Sequence, residues 1–273
     1  MQALQAPRCI RDPIHGDVRL RPIEAAVVDS RPFQRLRYIR QNGLLHFVFP
    51  GAVHTRFAHS LGTMYLAGRV AKQLFGPLAD RADRPTFMGG RAAIDYLSTV
   101  FRLAALLHDV GHCAFSHSIE HVTHKGEPLL GTTRDLFERW GEQGLLAEIV
   151  GVHPEVAEEP VTHEQIGLIL TRRIFEGEAV RSACTAAGLD AEDLGRDVRA
   201  IMDGRLSVSA RFADHAGSAS RLLCEKVDTP ALDFVFVLHG LVSGTLDVDR
   251  LDYLVRDSLH CGVPYGRCDT DLL

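Results

Sequence analysis

The sequence has few of the features that mark secreted, membrane or disulfide-rich proteins. It contains no run of 18 uncharged apolar residues, and its first residues, MQALQAPRCIRD, include no apolar signal-peptide core. The six cysteines are scattered and form no CxxC pair, which is typical of reduced thiols rather than of a disulfide framework. We therefore expect a cytoplasmic protein that has no membrane partner.

Positive charge of the kind that attracts nucleic acid is also scarce. The formal net charge is −5, and lysine occurs only three times among the 30 basic residues, so no overall field favours an anionic polymer. One segment, RPFQRLRYIR (31–40), has four arginines with aromatic residues between them, and such a segment could contact nucleic acid. We favour a solvated or subunit-facing helix surface for this segment and expect no nucleic-acid partner.

The sequence does contain many segments whose apolar residues follow helical spacing. A chain of 273 residues with 46% hydrophobic and 24% charged residues can bury a sizeable core. We predict one mainly α-helical domain over 1–273, with a strand-turn-strand β-arm at 10–22. A further segment, 232–242, is a buried helix or strand. The predicted helices cover 23–30, 32–41, 55–75, 91–112, parts of 133–150, 162–175, 190–203, 216–227 and 246–260.

Histidine is unusually frequent, with fourteen in the chain, and seven of them lie between His108 and His163. The apolar run 91–107 ends in His108 and Asp109, and His112 follows four residues after His108. If the helix continues to 112, as its period predicts, His108 and His112 share one face. These groups are either satisfied polar residues of the core or ligands of Mn, Fe, Zn, Co or Ni. For a His-Asp pair alone, the first interpretation is the commoner one.

Two further segments place polar side chains on one face of a predicted helix. The first set lies in TRFAHSLGT and consists of Arg56, His59 and Thr63. The second set lies in DVDRLDYLVRD and consists of Asp249, Tyr253, Arg256 and Asp257. The second set falls within about 100° of the helix circumference. Such a stripe is either a solvated face or part of a site, and the segment alone leaves both interpretations open.

The order of these residues resembles the metal-binding signature of the HD-domain phosphohydrolases. The matching residues are His59, His108, Asp109 and Asp249. Longer segments resemble the dNTP triphosphohydrolase branch of that family, which contains SAM-and-HD-domain and bacterial dGTPase-like enzymes. These segments are DPIHG (12–16), FQRLRYIRQNG (33–43), FPGAVHTRFAHSLGTMYLAG (49–68), LLHDVGHCAFSH (106–117), THEQ (162–165) and DVDRLDYLVRD (247–257). Together they extend over residues 10–266, which is nearly the whole chain.

The resemblance implies a fold and a cofactor. The fold is an HD-domain helical bundle, mainly α, with a small N-terminal β-arm, and we expect that the C-terminal lobe of the family is absent. The four signature residues imply one divalent transition metal ion (Fe, Mn, Zn, Co or Ni). Mg²⁺ on the substrate phosphates is a second ion that the resemblance allows. Four ligands from three helices leave positions on one ion for water and a phosphate oxygen.

The resemblance also implies which residues are catalytic and which bind substrate. The catalytic group consists of His112, His117, His163 and Glu120. His117 would protonate the departing 5′-oxygen, a role that imidazole suits because free histidine titrates near neutral pH. Glu120 stands where the family has an aspartate, so it keeps the carboxylate but has a longer reach. The substrate-binding group consists of Gln41, Arg56, Arg250, Tyr253 and Asp257.

Each member of the substrate-binding group has a role that the resemblance implies. Arg56 and Arg250 would contact the phosphates, and Arg250 replaces a lysine that is usual in the family. Gln41 and Asp257 would hydrogen-bond the sugar 3′-hydroxyl. Tyr253 would crowd the 2′ position and so disfavour ribonucleotides.

The implied reaction is hydrolysis of a deoxynucleoside triphosphate to a deoxynucleoside and inorganic triphosphate. Two alternatives stay open: a phosphohydrolase that removes phosphates stepwise from nucleotides, and a non-catalytic nucleotide-binding regulator. Asp29 and Arg37 resemble a pair that recognises an activating guanine nucleotide at a subunit interface. A guanine-nucleotide activator and a homo-oligomer are therefore further expectations. The competing interpretation of Asp29 and Arg37 is an ordinary surface ion pair.

Overall fold

The described part of the chain begins with an antiparallel β-hairpin. Strand β1 (Arg8–Asp12) pairs along its whole length with β2 (Gly16–Leu20). Asp12 Oδ1 closes the turn by accepting hydrogen bonds from the backbone nitrogens of Ile14 and His15, both at 2.9 Å. The β-arm predicted at 10–22 is thus present, and each of its ends lies two residues earlier than predicted.

The computed structural model describes residues 8–82, 90–223 and 233–266, and helices account for most of them. The helices are α1 (Pro22–Asp29), α2 (Arg31–Gln34), α3 (Arg56–Ala82), α4 (Gly90–Leu107), α5 (Thr133–Trp140), α6 (Gln143–Val152), α7 (His163–Glu176), α8 (Glu178–Ala186), α9 (Ala191–Met202), α10 (Ala210–Leu223), α11 (Phe234–Ser243) and α12 (Val248–Cys261). A second, very short hairpin pairs β3 (Thr123–His124) with β4 (Glu127–Pro128). The predicted mainly α class with a small β-arm is confirmed, whereas the single domain over 1–273 stays a prediction.

Helices α3 and α4 pack against each other in the core. Side chains of both helices are fully buried there, among them Met64, Leu97 and Phe101. Helices α9 and α10 also pack on α4, and the last five residues of α4, 103–107, are all apolar and buried. Helix α4 therefore delivers the residues that follow it, beginning with His108, into the interior of the protein.

Two helix boundaries near the site differ from the prediction. Helix α4 ends at Leu107 rather than at 112, so His108 and His112 do not share a helix face. His108 explains this end, because its Nδ1 bonds the Ala105 carbonyl at 2.8 Å, the acceptor that the Asp109 nitrogen would use in a longer helix. Helix α3, in contrast, continues past the predicted end at 75, through Pro77, to Ala82.

Other predictions were revised or lie outside the described residues. The segment 32–41 is helical only to Gln34 and then forms a 3₁₀ helix. Helix α10 begins at Ala210, and the end predicted for it at 227 lies outside the described residues, as do cysteines 224 and 268. The segment 232–242 forms α11 rather than a strand. Among the described helices, none is both long enough and apolar enough to cross a membrane.

Candidate metal centre

Three separate parts of the chain bring the predicted metal ligands together. His59 lies in the first turn of α3 and Asp249 in the first turn of α12. His108 and Asp109 directly follow α4, and the ligand atoms of His59, His108 and Asp109 lie within 4.8 Å of one another. Asp249 Oδ1 lies 2.9 Å from His59 Nε2 and 3.5 Å from His108 Nε2. We call these four residues the metal cluster.

The two histidines of the metal cluster direct their Nε2 atoms towards its carboxylates. The opposite ring nitrogens are occupied: His59 Nδ1 donates to Asp252 Oδ2 and His108 Nδ1 to the Ala105 carbonyl, both at 2.8 Å. Both Nε2 atoms are buried, and neither forms a well-aligned hydrogen bond among the described residues, even though Asp249 Oδ1 lies 2.9 Å from the Nε2 of His59. A buried polar atom without a partner is costly, and a bound cation would relieve that cost. Two imidazoles and two carboxylates also form a donor set that suits a divalent transition metal.

The charges of the metal cluster favour a cation at its centre. Burial opposes charge on His59, yet Asp249, Asp252 and Asp109 outweigh it and raise the pKa of His59 to about 10. Burial likewise opposes ionisation of Asp109 and Asp249. Arg56 and neighbouring imidazoles nevertheless hold the pKa of Asp109 below its usual range, and imidazoles alone do the same for Asp249. The cluster thus attracts positive charge, which a metal ion can supply in place of a proton.

A buried carboxylate behind His59 was not identified from the sequence. Asp252 is fully buried and accepts a hydrogen bond from His15 Nε2 at 2.6 Å in addition to the one from His59. Arg256 donates to both carboxylate oxygens, at 2.7 and 2.9 Å, and to Asp12 Oδ2 at 2.9 Å. Although burial opposes it, these partners lower the pKa of Asp252. A carboxylate in this position fixes the tautomer and orientation of a metal-binding imidazole.

The polar stripe predicted on α12 has two parts. Asp249 and Tyr253 line a cavity, whereas Arg256 is fully buried together with Asp252. Gly62 of α3 makes room for the buried part, because a Cβ there would lie 1.9 Å from Asp252 Oδ1 and 2.5 Å from Arg256 Nη2. The missing side chain at this point therefore allows α12 to approach α3 closely enough for Asp252 to reach His59.

The predicted catalytic residues form a second group beside the metal cluster. The rings of His112 and His163 stack with centroids 3.7 Å apart, and the ring of His117 meets both edge-on, at 4.6 and 4.9 Å. Glu120 joins them: its Oε1 accepts a hydrogen bond from His163 Nδ1 at 3.0 Å, and its Oε2 lies 3.4 Å from His117 Nδ1. Burial opposes ionisation of Glu120, but His163 and His117 lower its pKa to about 2. Glu120 is thus a negative charge that bridges two histidines.

The three histidines of this group differ in exposure. The side chain of His117 is 60% exposed, against 1% for His112 and 13% for His163. Burial lowers the pKa of His112 to about 3 even though Asp109 lies beside it. His112 is therefore neutral near pH 7, and His117 is the member of the group that an incoming ligand can reach most easily.

Gly111 brings the turn after the His-Asp pair against α7. A Cβ at Gly111 would lie 1.8 Å from the His163 carbonyl oxygen and 2.4 Å from the Gly167 nitrogen. On the other side, the guanidinium of Arg35 donates to the carbonyl oxygens of Val110 and His112. This close backbone contact stacks the ring of His112 on that of His163.

A cavity of about 360 Å³ opens over the metal cluster and the exposed histidine. The predicted residues that line it are Gln41, Arg56, His108, Asp109, His117, His163, Asp249, Arg250 and Tyr253. Arg56 is buried, and its guanidinium donates to Asp109 and, at 2.8 Å, to Ser116 Oγ. A cavity of this size, with a few convergent charged groups, suits a small polar ligand.

Three predicted nucleotide-binding residues, Asp257, Asp29 and Arg37, lie outside the lining of this cavity. Asp257 Oδ1 accepts a hydrogen bond from His54 Nε2 at 2.7 Å. Asp29 pairs with Arg8 of β1, while Arg37 stacks on an aromatic ring of α3. The ion pair between Asp29 and Arg37 is therefore not formed. The sugar contact of Asp257 and the activator site stay predictions.

Comparison with known proteins gives a family match and several relatives. The model of the HD domain family matches residues 56–193. The chain is 27% identical to uncharacterized protein MJ1154 of Methanocaldococcus jannaschii, over 96% of this chain and 36% of that protein. It is 28% identical to deoxynucleoside triphosphate triphosphohydrolase SAMHD1 of Bos taurus (94% of this chain, 36% of that protein). It is 29% identical to SAMHD1 of Homo sapiens (94% and 34%). The chain thus spans about a third of the length of these curated relatives.

Proposed function

Because the chain belongs to the HD domain family, we propose that it is a metal-dependent phosphohydrolase of nucleotides, and that it converts dNTPs to deoxynucleosides and inorganic triphosphate. One observation carries the proposal. A single cavity collects residues of the metal cluster, the guanidinium groups of Arg56 and Arg250, and the exposed ring of His117. The similarity to relatives named as deoxynucleoside triphosphate triphosphohydrolases supports the choice of dNTPs as substrates.

The residues around the cavity have different roles in the proposed reaction. A divalent ion held by the metal cluster would supply Lewis-acid charge for a phosphate oxygen and activate water. Arg250 and Arg56 bind phosphate oxygens, for which a planar guanidinium is well shaped. Asp109 and Ser116 hold the guanidinium of Arg56 in position, so its side chain loses little conformational freedom when a phosphate binds.

Proton transfer belongs to the second group of residues. His117 donates a proton to the departing 5′-oxygen, and its exposure allows it to reach that atom. Glu120 orients His117 and also accepts a hydrogen bond from His163. His112 stays neutral and packs between these groups and Asp109.

Product analysis tests the proposed reaction. Metal-loaded protein is incubated separately with dNTPs, NTPs and monophosphates, and the products are separated by chromatography. We expect deoxynucleoside and triphosphate in equal amounts from dNTPs. Successive release of single phosphates would replace this reaction with stepwise dephosphorylation, and binding without any product would favour a non-catalytic regulator.

Replacing His117 with alanine is expected to lower kcat by about 10²–10⁴-fold, because that is the usual contribution of a general acid. Nucleotide affinity should change little, since the ring contributes a proton rather than a phosphate contact. Rates and dissociation constants are compared with those of His121→Ala, which removes an exposed histidine outside the cavity. An unchanged rate with His117→Ala would assign the acid role to His112 or His163.

Activation by a guanine nucleotide, in a homo-oligomer, is a separate prediction. The carboxylate of Asp29 can accept from guanine N1–H and the 2-amino group, and the guanidinium of Arg37 can donate to O6 and N7. Asp29 must first leave Arg8, with which it is paired. We expect GTP or dGTP to raise the rate of dATP hydrolysis by the native chain but not by Asp29→Ala. Equal rates with and without nucleotide in both proteins would mean that the enzyme needs no such activator.

A further inference from the structure

A second cavity, of about 590 Å³, lies between α6, α7, α8 and α9 and shares no lining residue with the cavity over the metal cluster. Part of its lining is apolar and buried, including Leu145 and Phe175. Four arginines also line it, namely Arg172, Arg181, Arg196 and Arg199. A volume of this size accommodates a small molecule, and nothing in the proposed reaction uses it.

Two of the four arginines have carboxylate partners. Arg172 pairs with Glu142 and, at 3.1 Å, with Glu176. Arg196 Nη2 lies 3.8 Å from Glu192. Arg173 also pairs with Glu142 and Glu176, so these contacts join three arginines to three glutamates.

The other two arginines, Arg181 and Arg199, form no ion pair and donate no hydrogen bond within the described part of the chain. The remaining carboxylates of the lining, Glu148 and Asp190, accept hydrogen bonds from other groups. Glu148 accepts a hydrogen bond from the Ser207 nitrogen at 2.6 Å, and Asp190 caps the first turn of α9. The cavity therefore contains two guanidinium groups that form no ion pair with a carboxylate of the lining.

Arg199 is the more confined of these two groups. Its Nε is buried without an acceptor among the described residues. Burial, followed by the positive charges of Arg172 and Arg196, lowers the pKa of Arg199, while the carboxylates of Glu142 and Glu148 oppose this shift. A guanidinium keeps its proton at any ordinary pH. A buried Nε without an acceptor is costly, and an anion in the cavity would supply the acceptor.

We propose that this cavity binds a phosphate-bearing small molecule whose dianionic phosphate accepts hydrogen bonds from Arg199 and Arg181. Two guanidinium groups without ion-pair partners can donate to several oxygens of one phosphate, for which a planar guanidinium is well shaped. Leu145 and Phe175 provide an apolar surface for the remainder of the molecule. The site is independent of the reaction proposed at the metal cluster.

Calorimetric titration of the full chain with phenylphosphonate tests the site, because this probe has a dianionic phosphonate, an apolar ring and no bond that a phosphohydrolase breaks. We expect binding that is tighter than that of inorganic phosphate, which lacks the ring, and of benzenesulfonate, which has one charge. Arg199→Gln should weaken the affinity by about tenfold or more, as expected for a lost charged hydrogen bond. Arg199→Lys should retain part of it.

Two control variants distinguish this cavity from other anion sites. Arg19→Gln removes one exposed charge on β2 and should leave the affinity unchanged. Arg250→Gln alters the cavity over the metal cluster and should also leave it unchanged. If circular dichroism shows that Arg199→Gln is unfolded, Arg181→Gln, at an exposed position, is tested instead. The proposal would be overturned if the native chain did not bind the probe, or if Arg199→Gln, or Arg181→Gln in its place, bound it as tightly as the native chain. Loss of binding with Arg250→Gln instead would also overturn it.

Discussion

A variant with alanine at both His108 and Asp109 is expected to bind no metal and to lose turnover, while its helices persist. The change removes one imidazole and one carboxylate from the four residues of the metal cluster, and His59 and Asp249 alone are too few ligands for a catalytic ion. Since a metal ion contributes several kcal/mol to such a reaction, the rate should fall by about 10³-fold or more. Metal content per chain and the rate of nucleotide hydrolysis are the measurements.

The same variant should also be less stable, for a reason that can be separated from metal loss. Asp109 pairs with Arg56, and both side chains are about 95% buried. Removing one partner of a buried ion pair usually costs about 3–5 kcal/mol, so folding is checked by circular dichroism well below the transition temperature. His124→Ala, which removes an exposed histidine on β3, should keep full metal content. A folded double variant that is still fully metal-loaded would refute the ligand assignment.

Replacing Asp252 with alanine is expected to cause a large loss of stability. The carboxylate accepts hydrogen bonds from His15, His59 and Arg256, and its removal leaves a fully buried guanidinium without this partner. We expect the free energy of unfolding to fall by about 3–5 kcal/mol and metal affinity to fall by about 10–100-fold, because His59 loses the group that orients its ring. Urea unfolding of metal-free protein separates the first effect from the second.

The pH dependence of this difference follows from the lowered pKa of Asp252. The folded protein keeps the carboxylate ionised at pH values where the unfolded chain, with a pKa of about 3.9, takes up a proton. The stabilisation is therefore complete above about pH 4 and is lost as the pH falls below it. The difference between the free energies of unfolding of the native protein and the variant should therefore shrink as the pH falls from about 5 towards 2. The size of this decrease is set by the difference between the folded and unfolded pKa of Asp252. A constant difference would show that the pKa of Asp252 is the same in the folded and unfolded chains; Asp17→Ala, at an exposed ion pair, is the matched control.

The sequence was sufficient to predict the helical class. The four residues of the metal cluster were predicted from the resemblance to a family, since the His-Asp pair and the polar stripes alone left other interpretations open. Five of the predicted helical segments, 23–30, 133–150, 162–175, 190–203 and 246–260, form helices within two residues of their predicted limits. Local pattern and local spacing therefore decide much of the architecture.

Features that depend on contacts between distant segments were not predictable. Asp252 is separated by 193 residues from His59 and by 237 from His15, so no local pattern connects them. One sequence signal was available, since Asp252 and Arg256 are spaced i, i+4 on a helix that is otherwise partly apolar. The end of α4 at Leu107 depends on a hydrogen bond from the side chain of His108, which helical periodicity cannot reveal.

The link between the hairpin and α12 has a consequence for how the protein is made. Arg256 reaches Asp12 across 244 residues, and His15 reaches Asp252 across 237. A ribosome synthesises the hairpin and α3 well before α12, which carries Asp249 and Asp252. Until α12 is made, a nascent chain therefore holds His59 without two of its carboxylate neighbours, and contacts so distant in sequence form slowly. The complete set of four residues is accordingly available to a metal ion only after α12 has been synthesised.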